Sequence, residues 1–312
     1  MSIIEPHAKV ARRIPRSIHR KIIGLVDRVP FGGVEILRVY NGALKMIGGP
    51  YRSHLPCGAR IDCDPQDLIQ QYILHFGVWE PAVTSLITRI LQPGDVFVDI
   101  GANIGYDSLL AANLVGDNGR VLAFEASPTI FQSLAYNITL NANDNIIACN
   151  VAVSDREQRL QLYSGPAENL GRTTTVAARG LPRQCEVQAY SLMRLLSGED
   201  TSRIRLIKID IEGGEIPVVD DFLTNLSSYP ETTSLMVEVN PSPRWEATFE
   251  ALFNAGFHAF AIPNQYDLGW YIRKRNSANH PIPITTLKST QMDVFFTREE
   301  QWISSIPHTS HS

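Results

Sequence analysis

Paired cysteines are missing from this sequence. The four present, Cys57, Cys63, Cys149 and Cys185, include no CxxC pair. That excludes a disulfide framework and a cysteine-built zinc site, and it sets the expectation of a reducing, cytoplasmic compartment. Long apolar runs are missing too: none reaches the roughly 18 residues that a membrane span needs, and the first residues carry no apolar signal core. A basic surplus is absent, with 28 Lys and Arg against 32 Asp and Glu and a net charge of −4. Nucleic acid is therefore not the expected partner, because its binders present a net basic face. No internal repeat of about 20–50 residues is visible, which excludes solenoids and propellers.

What remains is a globular balance over 312 residues, 44% apolar and 19% charged. The length suits one large domain or two small ones, with a core that needs no covalent staple. Residues 1–30 are basic (Lys9, Arg12, Arg13, Arg16, Arg20, Lys21 and Arg28 against Glu5 and Asp27). Ile18, Ile22, Leu25 and Val29 fall at helical spacing, so residues 16–29 are expected to form a basic amphipathic helix. It would dock on its own protein or make weak contact with an anionic membrane surface. Residues 31–91 read as an extension. Gly32-Gly33, Asn41-Gly42 and Gly48-Gly49-Pro50 around Val34–Val39 predict β-hairpins, and residues 66–91 predict helix interrupted near Gly77 and Pro81. Residues 301–312 read as a frayed tail.

From residue 92 to 300 strands and helices alternate. Strands are expected at Val96–Ile100, Arg120–Phe124, Ile146–Val153, Ile204–Ile209, Leu235–Val239, Phe257–Ile262 and Met292–Thr297. Helices are expected at 105–114, 128–140, 215–226 and 244–255, and residues 155–190 read as irregular, with strand-like Arg159–Tyr163 and Glu186–Ala189. This is the α/β pattern of a mainly parallel sheet with helices on both faces.

The first of these strands ends in Val98-Asp99-Ile100-Gly101-Ala102-Asn103-Ile104-Gly105. In such sheets ligands bind beyond the carboxyl ends of the strands, where strand order reverses. Gly101 and Gly105 are expected to let backbone approach a ligand. Asp99 discriminates between ligands. A dinucleotide pyrophosphate would be repelled by a carboxylate at that strand tip, and the third glycine of G-x-G-x-x-G is missing. S-adenosylmethionine, with its ammonium and sulfonium, would be attracted. Glu125, in Phe124-Glu125-Ala126-Ser127-Pro128, lies roughly 20 residues past the glycine loop, where a carboxylate accepts hydrogen bonds from ribose hydroxyls. After strand three, Val151 and Ala152 offer an apolar surface to the adenine, and Ser154 or Asp155 a polar contact. Strand four ends in Lys208-Ile209-Asp210-Ile211-Glu212-Gly213-Gly214-Glu215. If the chain stays extended, Asp210 and Glu212 face the same way and can hold an ammonium, orient an acceptor, remove a proton or bind a cation. Glu215 reads as a carboxylate in a helix first turn.

Together, Phe76-Gly77-Val78-Trp79-Glu80-Pro81, Val98–Gly105, Phe124–Pro128, Asn150–Asp155 and Ile207–Gly213 resemble the FkbM-type S-adenosylmethionine-dependent methyltransferases, from about residue 60 to 297. The resemblance implies a class I, Rossmann-like fold, a seven-stranded sheet whose last strand is antiparallel. It implies methyl transfer, most often to an oxygen of a sugar, polyketide or other small natural product. It adds Glu80 to Asp99, Gly101, Asn103 and Glu125 around the cofactor, and identifies Asn169-Leu170-Gly171-Arg172-Thr173 as a loop that covers the site. Met193 stands where the family frequently has Asp.

A hydroxyl acceptor needs a base. The candidates are Asp210 and Glu212, then Glu238 at the end of strand five and His258. His75, on an apolar helical stretch, reads as structural. Magnesium between Asp210 and Glu238 is a less favoured variant, and no metal site is expected. Asn240-Pro241-Ser242-Pro243 only partly matches the signature of base amino-methylating enzymes and follows the wrong strand. Residues 155–190 and 263–290 are expected to shape the acceptor pocket, the second through Tyr266, Trp270, Tyr271, Arg273, Lys274 and Arg275. The rival readings are a nicotinamide oxidoreductase and a non-catalytic adenosine-binding module.

Overall fold

The computed structural model describes residues 16–29, 32–177, 180–275 and 280–299, together with Arg12, Ile14 and Trp302. Most of the basic run before residue 16 and most of the tail after 300 lie outside the described residues.

The extension opens with helices α1 (Arg16–Arg28) and α2 (Gly33–Ile47), then a hairpin of β1 (Tyr51–His54) and β2 (Arg60–Cys63), then α3 (Leu68–Phe76) and α4 (Pro81–Ile90). α1 is docked on its own protein through fully buried Val26 and an Asp27–Arg275 ion pair of 2.8 Å, while Ile18 and Leu25 stay half exposed. The strand expected at Val34–Val39 and the turn expected at Asn41-Gly42 are both helix. The reason is the buried stripe Leu37, Asn41 and Leu44, which has helical spacing. Asn41 is held inside that helix by His75, whose Nε2 lies 3.0 Å from Asn41 Oδ1. His75 is thus structural, and burial pushes its ring down to about 3.

The crossover units follow as β3 (Val96–Ile100), α5 (Tyr106–Val115), β4 (Arg120–Phe124), α6 (Pro128–Thr139) and β5 (Ile146–Cys149). The expected strand 146–153 then breaks. β6 (Ala152–Ser154) leaves the main sheet and pairs with β8 (Arg183–Ser191), which also pairs antiparallel with β7 (Gln158–Tyr163). The strand-like runs expected at Arg159–Tyr163 and Glu186–Ala189, within otherwise irregular residues 155–190, are therefore strands of a second small sheet. The break comes at Asn150, whose side chain donates to the carbonyls of Glu125 and Ala126 at 2.8 and 3.1 Å. The chain continues through α7 (Leu192–Leu195), α8 (Gly198–Thr201), β9 (Ile204–Ile209), α9 (Glu215–Thr224), β10 (Ser234–Val239), α10 (Pro243–Asn254), β11 (His258–Ile262), α11 (Leu268–Lys274), β12 (Ile282–Ile284) and β13 (Met292–Thr297).

The central sheet has the order β12-β11-β13-β10-β9-β3-β4-β5. β10, β9, β3, β4 and β5 run parallel, and β13 inserts antiparallel between β10 and β11. This is the expected seven-stranded arrangement, with β12 added at one edge. Order reverses between β3 and β9, and the register sets Ile100 level with Phe124 and Ile209, so those three strands end together.

Alternation divides the sheet into two faces. Val96, Val98, Ile100, Ile207, Ile209, Val237 and Val294 pack on one side with α9 and α10. Phe97, Leu206, Met236, Phe260 and Phe295 pack on the other, in one core with Tyr51, Ile61, Ile73 and Val83 of the extension.

Gly101 sits at φ +89°, and a Cβ there would stand 1.9 Å from the Asp210 carbonyl oxygen. Glycine is required there by close approach of the β3 and β9 loops; at Gly105 a Cβ would meet Leu134 at 2.8 Å. Gly101→Ala is expected to cost about 3 kcal/mol or more, read as a lower urea midpoint with an unchanged slope.

Candidate functional site

A cavity of about 730 Å³ opens beyond the carboxyl ends of β3, β4 and β9, at the point of strand reversal. That volume suits a small-molecule ligand. Of the residues expected to hold a cofactor, Glu80, Gly101, Asn103, Glu125, Ala152 and Asp210 line it. Asp99 does not: it is 1% exposed and lies behind the wall, where Ser108 Oγ donates to Oδ2 at 2.6 Å. Its other oxygen, Oδ1, is buried without a partner, and burial pushes the carboxyl up to about 7. Gly105 also stands off the wall, as the residue that turns the loop into α5 at φ +94°.

Glu125 is held on two sides by backbone. Asn103 N–H donates to Oε2 at 3.0 Å and Ser127 N–H to Oε1 at 2.8 Å. A carboxylate has about four acceptor positions, so capacity remains for a ligand diol in the cavity that Glu125 lines. Burial raises it to about 7 against the lowering effect of those two N–H groups. Val151, Ala152 and Val153 form the apolar wall next to it, with Ser154 and Asp155 at its end. The expected covering loop is present as a turn at Leu170–Arg172, tied by the Leu170 N–H to Asp67 Oδ2 at 2.8 Å. Asn169, Gly171, Arg172 and Thr173 of this loop line the cavity.

At the tip of β9 the chain does not stay extended. Glu212 has φ +59°, so Asp210 and Glu212 do not project as neighbours on an extended strand, although both line the cavity. Asp210 is ion-paired with Lys208 at 2.9 Å, and the same ammonium lies 3.4 Å from Asp107. Burial opposes the charge of Lys208, but Asp210, Asp107, Asp99 and Glu80 together raise it well above its usual value. Glu215 stands in the first turn of α9 and accepts the N–H groups of Gly213 and Ile211 at 2.7 and 3.3 Å.

Glu238 lines the cavity with one carboxyl oxygen buried and unpartnered, the other accepting from Gln291. Burial, then the charges of Asp210 and Glu212, push it up to about 10, so it is protonated at neutral pH. Glu80 is raised well above its usual value, chiefly by burial; Tyr266 donates to its Oε1 at 2.7 Å, and its N–H donates to the Tyr271 hydroxyl at 2.8 Å. His258 is not brought to the site. It is exposed at the start of β11, level with Thr297 at the opposite end of the sheet. Of the described residues of the 263–290 segment only Tyr266 lines this cavity; Tyr271 is buried, and Arg275 pairs with Asp27.

Among the described residues no group of three or more His, Cys, Asp or Glu is arranged to hold a metal. The donor set itself argues against magnesium between Asp210 and Glu238, since Lys208 already meets the charge of Asp210. Lys208, Asp107 and Asp293 were not singled out from the sequence. The signal was present: Lys208 and Asp293 are charged residues inside otherwise apolar strands. With Asp99 and Glu238 they form one row on the same face of β3, β9, β10 and β13.

The family model described as "Methyltransferase FkbM domain" matches residues 99–257, just over half of the chain. A protein-L-isoaspartate O-methyltransferase of Fervidobacterium nodosum is 24% identical over 140 residues, 45% of this chain and 67% of its own. Among solved structures, a putative rRNA-methylase from Clostridium thermocellum is 11% identical, covering 69% of this chain and 92% of its own, with a TM-score of 0.39. Fibrillarin from Aeropyrum pernix, solved with natively bound S-adenosyl-L-methionine, is 10% identical and covers 80% of this chain and 94% of its own, with a TM-score of 0.40. The chain belongs to the FkbM family of S-adenosylmethionine-dependent methyltransferases.

Proposed function

We propose that the cavity binds S-adenosylmethionine and that the protein methylates a hydroxyl oxygen of a sugar, polyketide or other small natural product. The observation that carries the donor half is Glu125, pinned by two backbone N–H groups at the tip of β4 while lining the cavity. S-adenosylmethionine, when bound, supplies a methyl group on a positively charged sulfur. Glu125 takes the ribose hydroxyls, and Val151, Ala152 and Val153 flank the adenine. The carboxyls of Glu80 and Asp210 offer acceptors to the cationic amino-acid end, whose charge favours the ionised form of Glu80 that burial disfavours. The hydroxyl reading rests on the acidity of the cavity beyond β9 and β10, which offers proton acceptors and repels anionic acceptors.

Titration calorimetry is expected to show binding of S-adenosylhomocysteine and none of NAD. NAD binding in its place would return the nicotinamide reading. Glu125→Gln is expected to weaken S-adenosylhomocysteine about tenfold or more. Glu125 ionises as pH rises through about 7, and the carboxylate is the better acceptor for a diol. Affinity therefore increases by up to about tenfold in total from pH 6 to 8 and levels off above that midpoint, and the glutamine variant flattens the increase. In the free protein the sign is opposite. The raised carboxyl stabilises the fold below its unfolded value, and that contribution is lost as pH rises through about 7.

Asp210→Asn is expected to abolish most turnover with labelled methyl donor and an extract of small molecules, in a protein that keeps its native circular dichroism. Near-normal turnover would remove Asp210 from the reaction.

A further inference from the structure

Beside the main cavity lies a second chamber of about 380 Å³, and Glu238, Tyr266 and Gln291 form walls of both. Asn264, Asp293 and Lys288 line it without lining the main cavity. Asp293 opens β13 and is the register partner of Glu238 on β10 and of Ile262 on β11. Cross-strand partners share a face of the sheet, so Asp293 extends the charged row by one strand past Glu238. Asn264 donates from Nδ2 to Asp293 Oδ2 at 2.5 Å, while its Oδ1 is buried without a partner, as is Glu238 Oε2. Two orphaned polar atoms in the wall of one chamber call for a ligand with hydroxyl groups.

Resting on the methyl-transfer reading above, we propose that this second chamber holds an uncharged, polyhydroxylated acceptor, and that Asp293 is the catalytic base that takes the proton of its reacting hydroxyl, with Asn264 as its positioning residue. The acceptor O–H bond breaks and its proton passes to the Asp293 carboxylate. The oxygen gains the methyl, and the carbon–sulfur bond breaks with its electron pair left on sulfur as a neutral thioether. The other acidic groups are less suited. Asp210 is tied to Lys208 at 2.9 Å, and Glu238 already carries a proton at neutral pH.

Asp293 is raised to about 6, first by burial and then by Asp210, with Asn264 and Lys208 acting against the rise and Asp107 adding to it. Glu238 on β10, Glu80 before α4 and Tyr266 after β11 belong to the same electrostatic cluster. At neutral pH Asp293 is therefore an ionised base close to the range in which proton transfer is efficient.

The test uses the full chain, S-adenosylmethionine labelled in its methyl group, and the small molecules of a cell extract divided by anion exchange. Label is expected in the unretained pool. Asp293→Asn is expected to lower the rate by about 10²–10⁴-fold, with unchanged calorimetric binding of S-adenosylhomocysteine. Asn264→Leu removes the hydrogen bond that lowers Asp293, so it moves the acidic limb of the pH–rate profile to higher pH. Carboxyl-carbon NMR of the protein without donor is expected to show the Asp293 titration shifting the same way, a readout that serves even if Asp293→Asn fails to fold. An unchanged rate in Asp293→Asn, an unmoved Asp293 titration in Asn264→Leu, or label confined to the retained anionic pool overturns this assignment and leaves the methyltransferase reading standing. Label in no pool, with S-adenosylhomocysteine still bound, overturns both.

Discussion

The buried ammonium of Lys208 is the charge on which the carboxyl edge of this sheet depends. It stands on β9 level with Asp99 of β3, 2.9 Å from Asp210 and 3.4 Å from Asp107. Removing one partner from a buried charge pair costs about 3–5 kcal/mol, because the survivor is left uncompensated. Here one cation serves several carboxyls, so its loss would leave all of them to protonate or to disturb the fold. Around this ammonium the carboxyls outnumber the amine, and burial raises Asp99, Glu80 and Glu238, so a cationic ligand would favour their ionised forms. Asp99 contributes to this field from behind the wall, which explains how a side chain that touches no part of the cavity still bears on what the cavity prefers.

Backbone conformation is bent to the same end. Among the described residues four other than glycine have positive φ, namely Glu80, Asn103, Ala142 and Glu212, and three of them line the cavity. Such conformations cost on the order of 1–3 kcal/mol each and persist where the surroundings over-determine them. The restraints are visible: Tyr271 and Tyr266 on Glu80, the Glu125 carboxylate on the Asn103 N–H, and the Thr174 hydroxyl donating to the Glu212 carbonyl at 2.7 Å. Gly101 completes the frame by letting the β3 loop lie against the carbonyl of Asp210.

Long apolar strands bounded by loops were legible in the sequence, because each buried strand of a parallel sheet must be apolar on both faces. Met292–Thr297 and Ile204–Ile209 are found at their expected bounds. The extension was harder. Asn41-Gly42 is a strong local turn signal, but a buried stripe and a partner histidine from α3, distant in sequence, override it. The break between β5 and β6 depends on Asn150 capping two carbonyls of the β4 loop, a contact no local pattern reveals. For the site, Glu125 and Asp210 were placed on the cavity because strand tips at a topological reversal converge whatever the surface loops do, whereas Glu80 and Asn103 came from the family resemblance. His258 was misplaced because a strand start and a strand end look alike until direction in the sheet is known. Asp293 was passed over because its strand is antiparallel, which brings its first residues, not its last, to the edge where the ligand binds.

The same inversion separates the two halves of the reaction. Residues 99–257, the matched region, supply Gly101, Asn103, Glu125, Ala152 and Asp210, the donor side of the proposed chemistry. Glu80 precedes that region, while Tyr266, Gln291 and Asp293 follow it. Glu80 and Tyr266 nevertheless meet through a 2.7 Å hydrogen bond, Trp79 stacks on Tyr266 with ring centres 5.4 Å apart, and Tyr72 donates to the Tyr266 carbonyl at 2.7 Å. An aromatic layer thus joins the extension to the linker between β11 and β12, and its Tyr266 lines both chambers. On the proposed reading, one part of the chain holds a donor whose chemistry never changes. The segments on either side of it close the chamber whose shape and charge decide which hydroxyl is methylated.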